Sequence, residues 1–378
     1  MARRVFLHIG TMKAATTYLQ NLFDANETFL ASHGIAWHSS QLNQNAIHDF
    51  QSSGMLPPDQ RGSFDRLRQA VRSTDGDVVI SMELLAKLRK GRAQRLVEAL
   101  GAERVEVILT AREMTRVATS HWQETTQNRG TTPWTEWIDM VCSAEPQASD
   151  SPDFWRHHYL PRIVETWGGV GPVHLVTIPQ GRSDPGAVWR RFSSVLGVPS
   201  EGVVEPSFNN ASLGATSAEL MRRVNEATAD LGLTFPQYRW GFKAALAKQT
   251  LAKRASSEPK PALTAAQHEA LRSLALGMVE WVEKADVDVV GDLADLVPPA
   301  EPSGPPYDPA QATDAELLEA AIAGLTGLGV RVSKQHVRLQ RRSPDAAVEE
   351  PPSGSRVPAV RRALHEVRGR LSTRLRRR

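Results

Sequence analysis

The chain has 378 residues, 41% of them apolar, and 45 Lys and Arg against 42 Asp and Glu give it a formal net charge of +3. That is enough apolar material for one large or two modest domains with a full core, which excludes a chain disordered over most of its length. A single cysteine, Cys142, excludes an internal disulfide framework, fits a reducing compartment, and lies in no Cys/His spacing of the structural-zinc kind.

In chain order, Met-Ala-Arg-Arg leads straight into the apolar run Val5 to Ile9, which leaves no room for a signal peptide. No run of about 18 apolar residues is present to span a bilayer, so cytoplasmic residence is the expectation. Val5 to Ile9 lacks helical period and stops at Gly10, as a buried parallel strand does, and Ala14 through Phe23 has helical spacing. Between them a loop places Lys13 and the hydroxyls of Thr16 and Thr17 just ahead of a helix N-terminus. Backbone N–H groups, the positive dipole end and a cation then surround one point, which makes an anion cradle.

The loop is not a nucleoside-triphosphate loop of the Gly-x-x-x-x-Gly-Lys-Ser/Thr kind, because Lys13 follows Gly10 by three residues. Its Lys-x-x-Thr-Thr order resembles the 5′-phosphosulfate-binding loop of sulfotransferases that use 3′-phosphoadenosine 5′-phosphosulfate (PAPS). There the common reading is Pro-Lys-Ser/Thr-Gly-Thr-Thr. The resemblance implies that Lys13 contacts the bridging oxygen of the leaving phosphate. It also implies that Gly10, Thr11, Ala14, Ala15, Thr16 and Thr17 line the phosphosulfate. Met12 stands where the family has proline and Ala15 where it has glycine.

Ser32 to Pro58 mixes short apolar pieces with Asn, Gln, Ser and Pro and reads as a long, partly irregular excursion of the kind that carries substrate contacts. His48 falls here and reads either as a base or as a solvated residue. Arg61 to Arg72 is an amphipathic helix leading to a second core strand, Asp77 to Ser81. Glu83 follows at once. Ligands of open α/β sheets bind outside the carboxyl ends of the strands, so parallel strands would set Glu83 beside the Lys13 loop. Glu83 then reads as the base that takes the acceptor's proton, or as a cap on the next helix.

The third strand, Val105 to Ala111, runs into Arg112, and Ser120 lies eight residues later. In the sulfotransferases an arginine and a serine at this spacing hold the 3′-phosphate, which implies that role for Arg112 and Ser120. His121 reads as a secondary base and Arg116 as a surface residue. The stripes Trp134, Trp137, Ile138, Val141 and Phe154, Trp155, Tyr159, Ile163, Trp167 read as core. A fourth strand, Val173 to Ile178, precedes Asp184-Pro-Gly and a helix from Ala187 to Leu196. Pro206 to Gly214 reads as a loop, Ser217 to Leu231 and Thr264 to Glu283 as helices, and Asp288 to Pro298 closes the domain. No copy of the family's adenosine-closing Arg-Lys-Gly loop is present; Arg222 and Arg239 are the candidates in its place.

Beyond Pro298 the composition turns to Pro, Gly, Ser and acids, then to a helix near Glu316 to Leu325 and a basic end. From Arg331 onward 14 Lys and Arg face 4 Asp and Glu, which leaves 31 against 38 in the first 330 residues. The basicity is a property of the tail, so no specific nucleic acid is expected. Val360, Leu364, Val367 and Leu371 at helical spacing among arginines suit an anionic membrane surface or an acidic partner, or else a solvated tail.

The expectation is a three-layer α/β protein of the P-loop type. It has a mainly parallel central sheet flanked by helices over residues 1–298, and a linker with a basic, partly disordered or helical tail over 299–378. The resemblance implies a PAPS-dependent sulfotransferase, without a metal, acting on a hydroxyl or amine of a small-molecule, carbohydrate or lipid acceptor. The alternatives are a small-molecule kinase of the P-loop type and a catalytically inactive nucleotide-binding module.

Overall fold

A computed structural model describes residues 2–51, 56, 60–181, 184, 186–206 and 212–342. Met1–Leu328 forms one compact unit and Gly329–Arg378 a second. The proposed tail helix from Val360 to Arg378, most of the loop from Pro206 to Gly214, and Pro185 of the Asp184-Pro-Gly signal lie outside the described residues.

The first unit opens with strand β1 (Arg4–His8), helix α1 (Thr16–Ala25), α2 (Glu27–Ser32), β2 (Ile35–Trp37), α3 (Ser40–Gln51) and α4 (Ser63–Ser73). Next come β3 (Asp77–Ser81), a single-turn helix at Glu83–Lys87, α5 (Lys90–Leu100), β4 (Arg104–Ala111) and α6 (Met114–Gln127). The middle holds α7 (Trp134–Ser143), α8 (Asp153–His158), α9 (Leu160–Gly168), β5 (Val173–Thr177), α10 (Ala187–Leu196) and α11 (Ala215–Thr228). The chain continues through α12 (Phe235–Tyr238), a π-helical stretch at Arg239–Lys248, α13 (Ala265–Lys284), β6 (Asp288–Val290) and α14 (Asp314–Arg342).

The six strands form one all-parallel sheet in the order β2-β3-β1-β4-β5-β6. Alternation along each strand sends side chains to two faces, and both are covered, which explains the near-continuous apolar runs. Phe6, Val79, Ile108 and Val176 pack with Leu19, Leu22 and Phe23 of α1 and with Trp189 and Phe192 of α10. Val5, Leu7, Ile80, Val107 and Leu109 pack on the other face with residues of α4, α5, α7, α9 and α13. The fold is a three-layer α/β sandwich.

After β1 the chain moves to one side of that strand, through β2 and β3, and β4 begins the other side. The switch point therefore lies between β1 and β4, at the carboxyl edge where the loops after the two strands separate.

Ser32 to Pro58 is not an irregular excursion as far as it is described: β2 adds an edge strand and α3 a three-turn helix. Its helical pattern is masked because a polar residue, Asn43, faces inward, where its Oδ1 accepts from the Ser81 backbone N–H at 3.1 Å. The stripe from Phe154 to Trp167 is carried by two helices, α8 and α9, with Pro161 in the first turn of α9. The compact unit also runs past Pro298, where the composition changes. Tyr307 pairs with Ala262, and Ala312, Leu317 and Ala320 are buried.

Candidate functional site

At the switch point β1 continues beyond His8 as a backbone ladder along β4, with Thr11 N–H donating to Thr110 O at 2.6 Å. On the other side Met82 N–H donates to His8 O and Ala86 N–H to Ile9 O, which docks the Glu83–Lys87 turn on the same loop. The approach is close. Gly10 has φ 100°, and a Cβ there would lie 3.0 Å from the Glu83 Cα, so this position requires glycine both for its backbone and for its neighbour.

The loop then adopts left-handed backbone at Lys13 (φ 62°) and at Ala15 (φ 64°), which precedes α1. No side chain caps α1, and its first turn holds no acidic residue. Its N–H groups are left for another acceptor. The N-terminus of α6 differs, since the Glu113 carboxylate caps it, accepting from Thr115 N–H at 2.6 Å.

The loop stands on a buried polar base. His8 lies 2.8 Å from Ser81 Oγ and 3.1 Å from Thr110 Oγ1, bridging β3, β1 and β4. Gln20 Nε2 donates to Ser81 O from α1. Burial pushes the His8 imidazole down to about 3, so it stays neutral and acts as a hydrogen-bonding strut.

Lys13 Nζ donates to Glu124 Oε2 at 2.7 Å, and Lys243 Nζ meets Glu124 Oε1 at 2.6 Å. Burial alone would raise the Glu124 carboxyl, but these two ammonium groups hold it well below the ordinary carboxylate range. Lys248 lies in the same field, and burial lowers its pKa. Glu83 shows the opposite balance. Burial raises its carboxyl above the ordinary 4.5, with the Lys13 charge pulling the other way, and its Oε2 is buried with no hydrogen-bond partner. No side chain caps the turn that Glu83 opens.

The remaining expected residues are distributed as follows. Thr11, Ala14 and Thr16 are buried and Thr17 is exposed, in or beside the loop. Arg112 follows β4 and lines a small cavity with Thr11, Met114, Val117 and His158. Ser120 is part-buried on α6, one turn before Glu124. His48 sits on α3, where burial and the charges of Arg239 and Lys87 lower its pKa. His121 is buried, pushed down to about 3, with Nδ1 3.0 Å from His158 Nε2. Arg222 is ion-paired with Glu219 and Glu226 of its own helix, α11.

Glu124, Lys243, His157 and His158 were not among the residues expected from sequence. Glu124 had a readable signal, because it follows Ser120 by four residues on one helix face. Lys243 had none, since it reaches the loop from a segment some 230 residues away whose apolar spacing follows no 3.6 period. Among the described residues no group of three His, Cys, Asp or Glu side chains converges as metal ligands do.

The molecule is thus an all-parallel α/β protein with a lysine-bearing loop at its switch point. No protein-family model matches the chain, and no curated protein does. Among solved structures it is similar to the crystal structure of a sulfotransferase from Alicyclobacillus acidocaldarius. That likeness has 17% identity and a TM-score of 0.35, and covers 63% of this chain and 100% of the other.

Proposed function

We propose that the chain is a sulfotransferase that moves the sulfuryl group of PAPS to a hydroxyl or amine. The observation that carries the reading is the uncapped N-terminus of α1, joined to the left-handed Lys13 loop and set against the partnerless Glu83 oxygen. Such a loop binds the 5′-phosphosulfate through its N–H groups and the hydroxyls of Thr16 and Thr17. Arg112, just after β4, and Ser120, on α6, hold the 3′-phosphate from the far side of the switch point.

Transfer is an in-line displacement. The acceptor oxygen attacks sulfur while its proton passes to Glu83, and the S–O bond to the phosphate breaks with its electron pair going to the leaving group. Lys13 exchanges Glu124 for that phosphate and stabilises the charge growing there. A raised Glu83 carboxyl suits a base of this kind, because its basicity is not lost to solvent.

Calorimetry tests the nucleotide class. We expect 3′-phosphoadenosine 5′-phosphate to bind much more tightly than 5′-AMP without a magnesium requirement, since charge-assisted contacts to arginine contribute about 1.5–3 kcal/mol each. Equal affinities would remove the assignment, and tight magnesium-dependent ATP binding would favour a kinase.

A further inference from the structure

Helix α14 carries apolar residues on two faces. One faces inward: Leu317 and Ala320 are buried, and Gly324 lies so close to the π-helical stretch that a Cβ there would come within 2.8 Å of Leu246 Cδ1. The other face is open. In the first unit Leu318, Ile322 and Leu325 are 61%, 54% and 70% exposed, and in the second Val332 and Leu339 are 60% and 57% exposed. A helix lying on a core keeps polar residues on its outer side, so large apolar side chains recurring there mark a surface that takes a partner.

The spacing identifies the kind of partner. From Leu318, alternating steps of four and three residues lead through Ile322, Leu325, Gly329, Val332 and His336 to Leu339. That is the 3.5-residue period of a coiled-coil seam, kept for three heptads, or about 32 Å of helix at 1.5 Å per residue.

Charge sets the direction. Within α14 the acids are Asp314, Glu316 and Glu319 and the bases are Arg331, Lys334, Arg338, Arg341 and Arg342, so one end is acidic and the other basic. Two copies running the same way would set like charges together at both ends. Reversed, each acidic end lies beside a basic one, and the pair closes about a two-fold axis as a self-complementary surface requires. With that axis beside Gly327, Ile322 meets Val332 of the second copy, Leu325 meets Gly329 and Leu318 meets His336, so each layer holds one leucine or isoleucine. The chain's own end fits less well. Val360, Leu364, Val367 and Leu371 have the same spacing, but from Val360 onward eight arginines accompany one acid, Glu366, and they would stand against the basic half of α14.

We propose that α14 pairs antiparallel with α14 of a second copy of this chain through the seam from Leu318 to Leu339, giving a two-fold dimer. The pairing stands apart from the sulfuryl-transfer reading and uses none of its residues.

Sedimentation equilibrium of the full chain tests it. The 41.6 kDa chain is expected to sediment as a dimer at micromolar concentration. Ile322→Glu with Leu325→Glu is expected to sediment as a monomer with its far-UV circular dichroism nearly unchanged, because both sites are exposed in the single chain. For direction, Leu339→Cys alone should form no interchain disulfide on mild oxidation, whereas Ala315→Cys with Leu339→Cys should, since these two positions meet only in the reversed pair. A dimer unaffected by the Ile322 and Leu325 substitutions would overturn the proposal, as would a disulfide from Leu339→Cys alone. A monomeric full chain would overturn it too, and if Leu364→Glu with Val367→Glu then produced a dimer, the face would belong to the chain's own tail.

Discussion

Around Lys13 the decisive quantity is how charge is shared among a few buried groups. Two ammonium groups hold Glu124 ionised, while burial raises the carboxyl of Glu83, whose Oε2 has no hydrogen-bond partner. Two carboxylates that both feel the Lys13 charge thus shift in opposite directions, the separation that the proposed counter-ion and base would need. Lys13→Ala is expected to abolish turnover and weaken nucleotide binding. Glu83→Gln should slow the chemical step by about 10²–10⁴-fold with nucleotide affinity nearly unchanged, as measured by single-turnover kinetics and calorimetry. The buried histidines give a second expectation. His8 and His121 are depressed to about 3 from an ordinary 6.5. Below 6.5 the unfolded chain binds protons that the folded chain refuses, so their contribution is complete above 6.5 and is lost as pH falls toward 3. The calorimetric Tm should drop across that window, and His8→Gln should make the drop shallower. A Tm flat through the window would contradict the buried neutral imidazoles.

Among the elements, the β1–α1 unit carries the site, and its loop stores backbone strain. Ala15 holds left-handed backbone, φ 64° and ψ 8°, immediately before α1. This is the position where the resembling family carries glycine, and the structure supplies a reason in the backbone itself. Ala15→Gly is expected to raise stability by about 0.5–1 kcal/mol in urea unfolding, the relief of the left-handed alanine exceeding the added freedom of the unfolded chain. A destabilised variant would mean that the Ala15 methyl group makes a contact worth more than the strain. The Glu83 turn depends on the same loop, because the close approach at Gly10 sets the distance between that loop and Glu83.

For the molecule as a whole, the first compact unit ends at Leu328 and includes residues that composition alone assigns to a linker. Tyr307 pairs with Ala262, Asp308 accepts from Thr135 at 3.1 Å, and Leu317 and Ala320 are buried. A chain ending at Pro298 should therefore melt at a lower temperature than the full chain. One ending at Arg342 should melt close to it, since residues 343–378 are rich in charge and poor in large apolar side chains. Equal Tm values for the chain ending at Pro298 and the full chain would show that the packing of residues 307–320 contributes nothing.

What the sequence determined by itself was the parallel α/β class and a lysine-bearing loop between its first strand and first helix. Both follow from local signals: apolar runs ending at Gly10, Ser81 and Ala111, and a lysine and hydroxyls placed just before a helix. Strand β2 and helix α3 escaped because the inward-facing Asn43 is satisfied by a backbone group on β3, a partner that periodicity cannot register. The long-range charges escaped for a similar reason. Lys13, Glu124 and Lys243 meet only when a β-strand loop, α6 and a distant π-helical stretch are brought to one edge of the sheet. Spacing along a chain encodes which residues share a face of one element. Which faces of different elements meet, and so which charged groups are paired, is decided by the packing of the whole core.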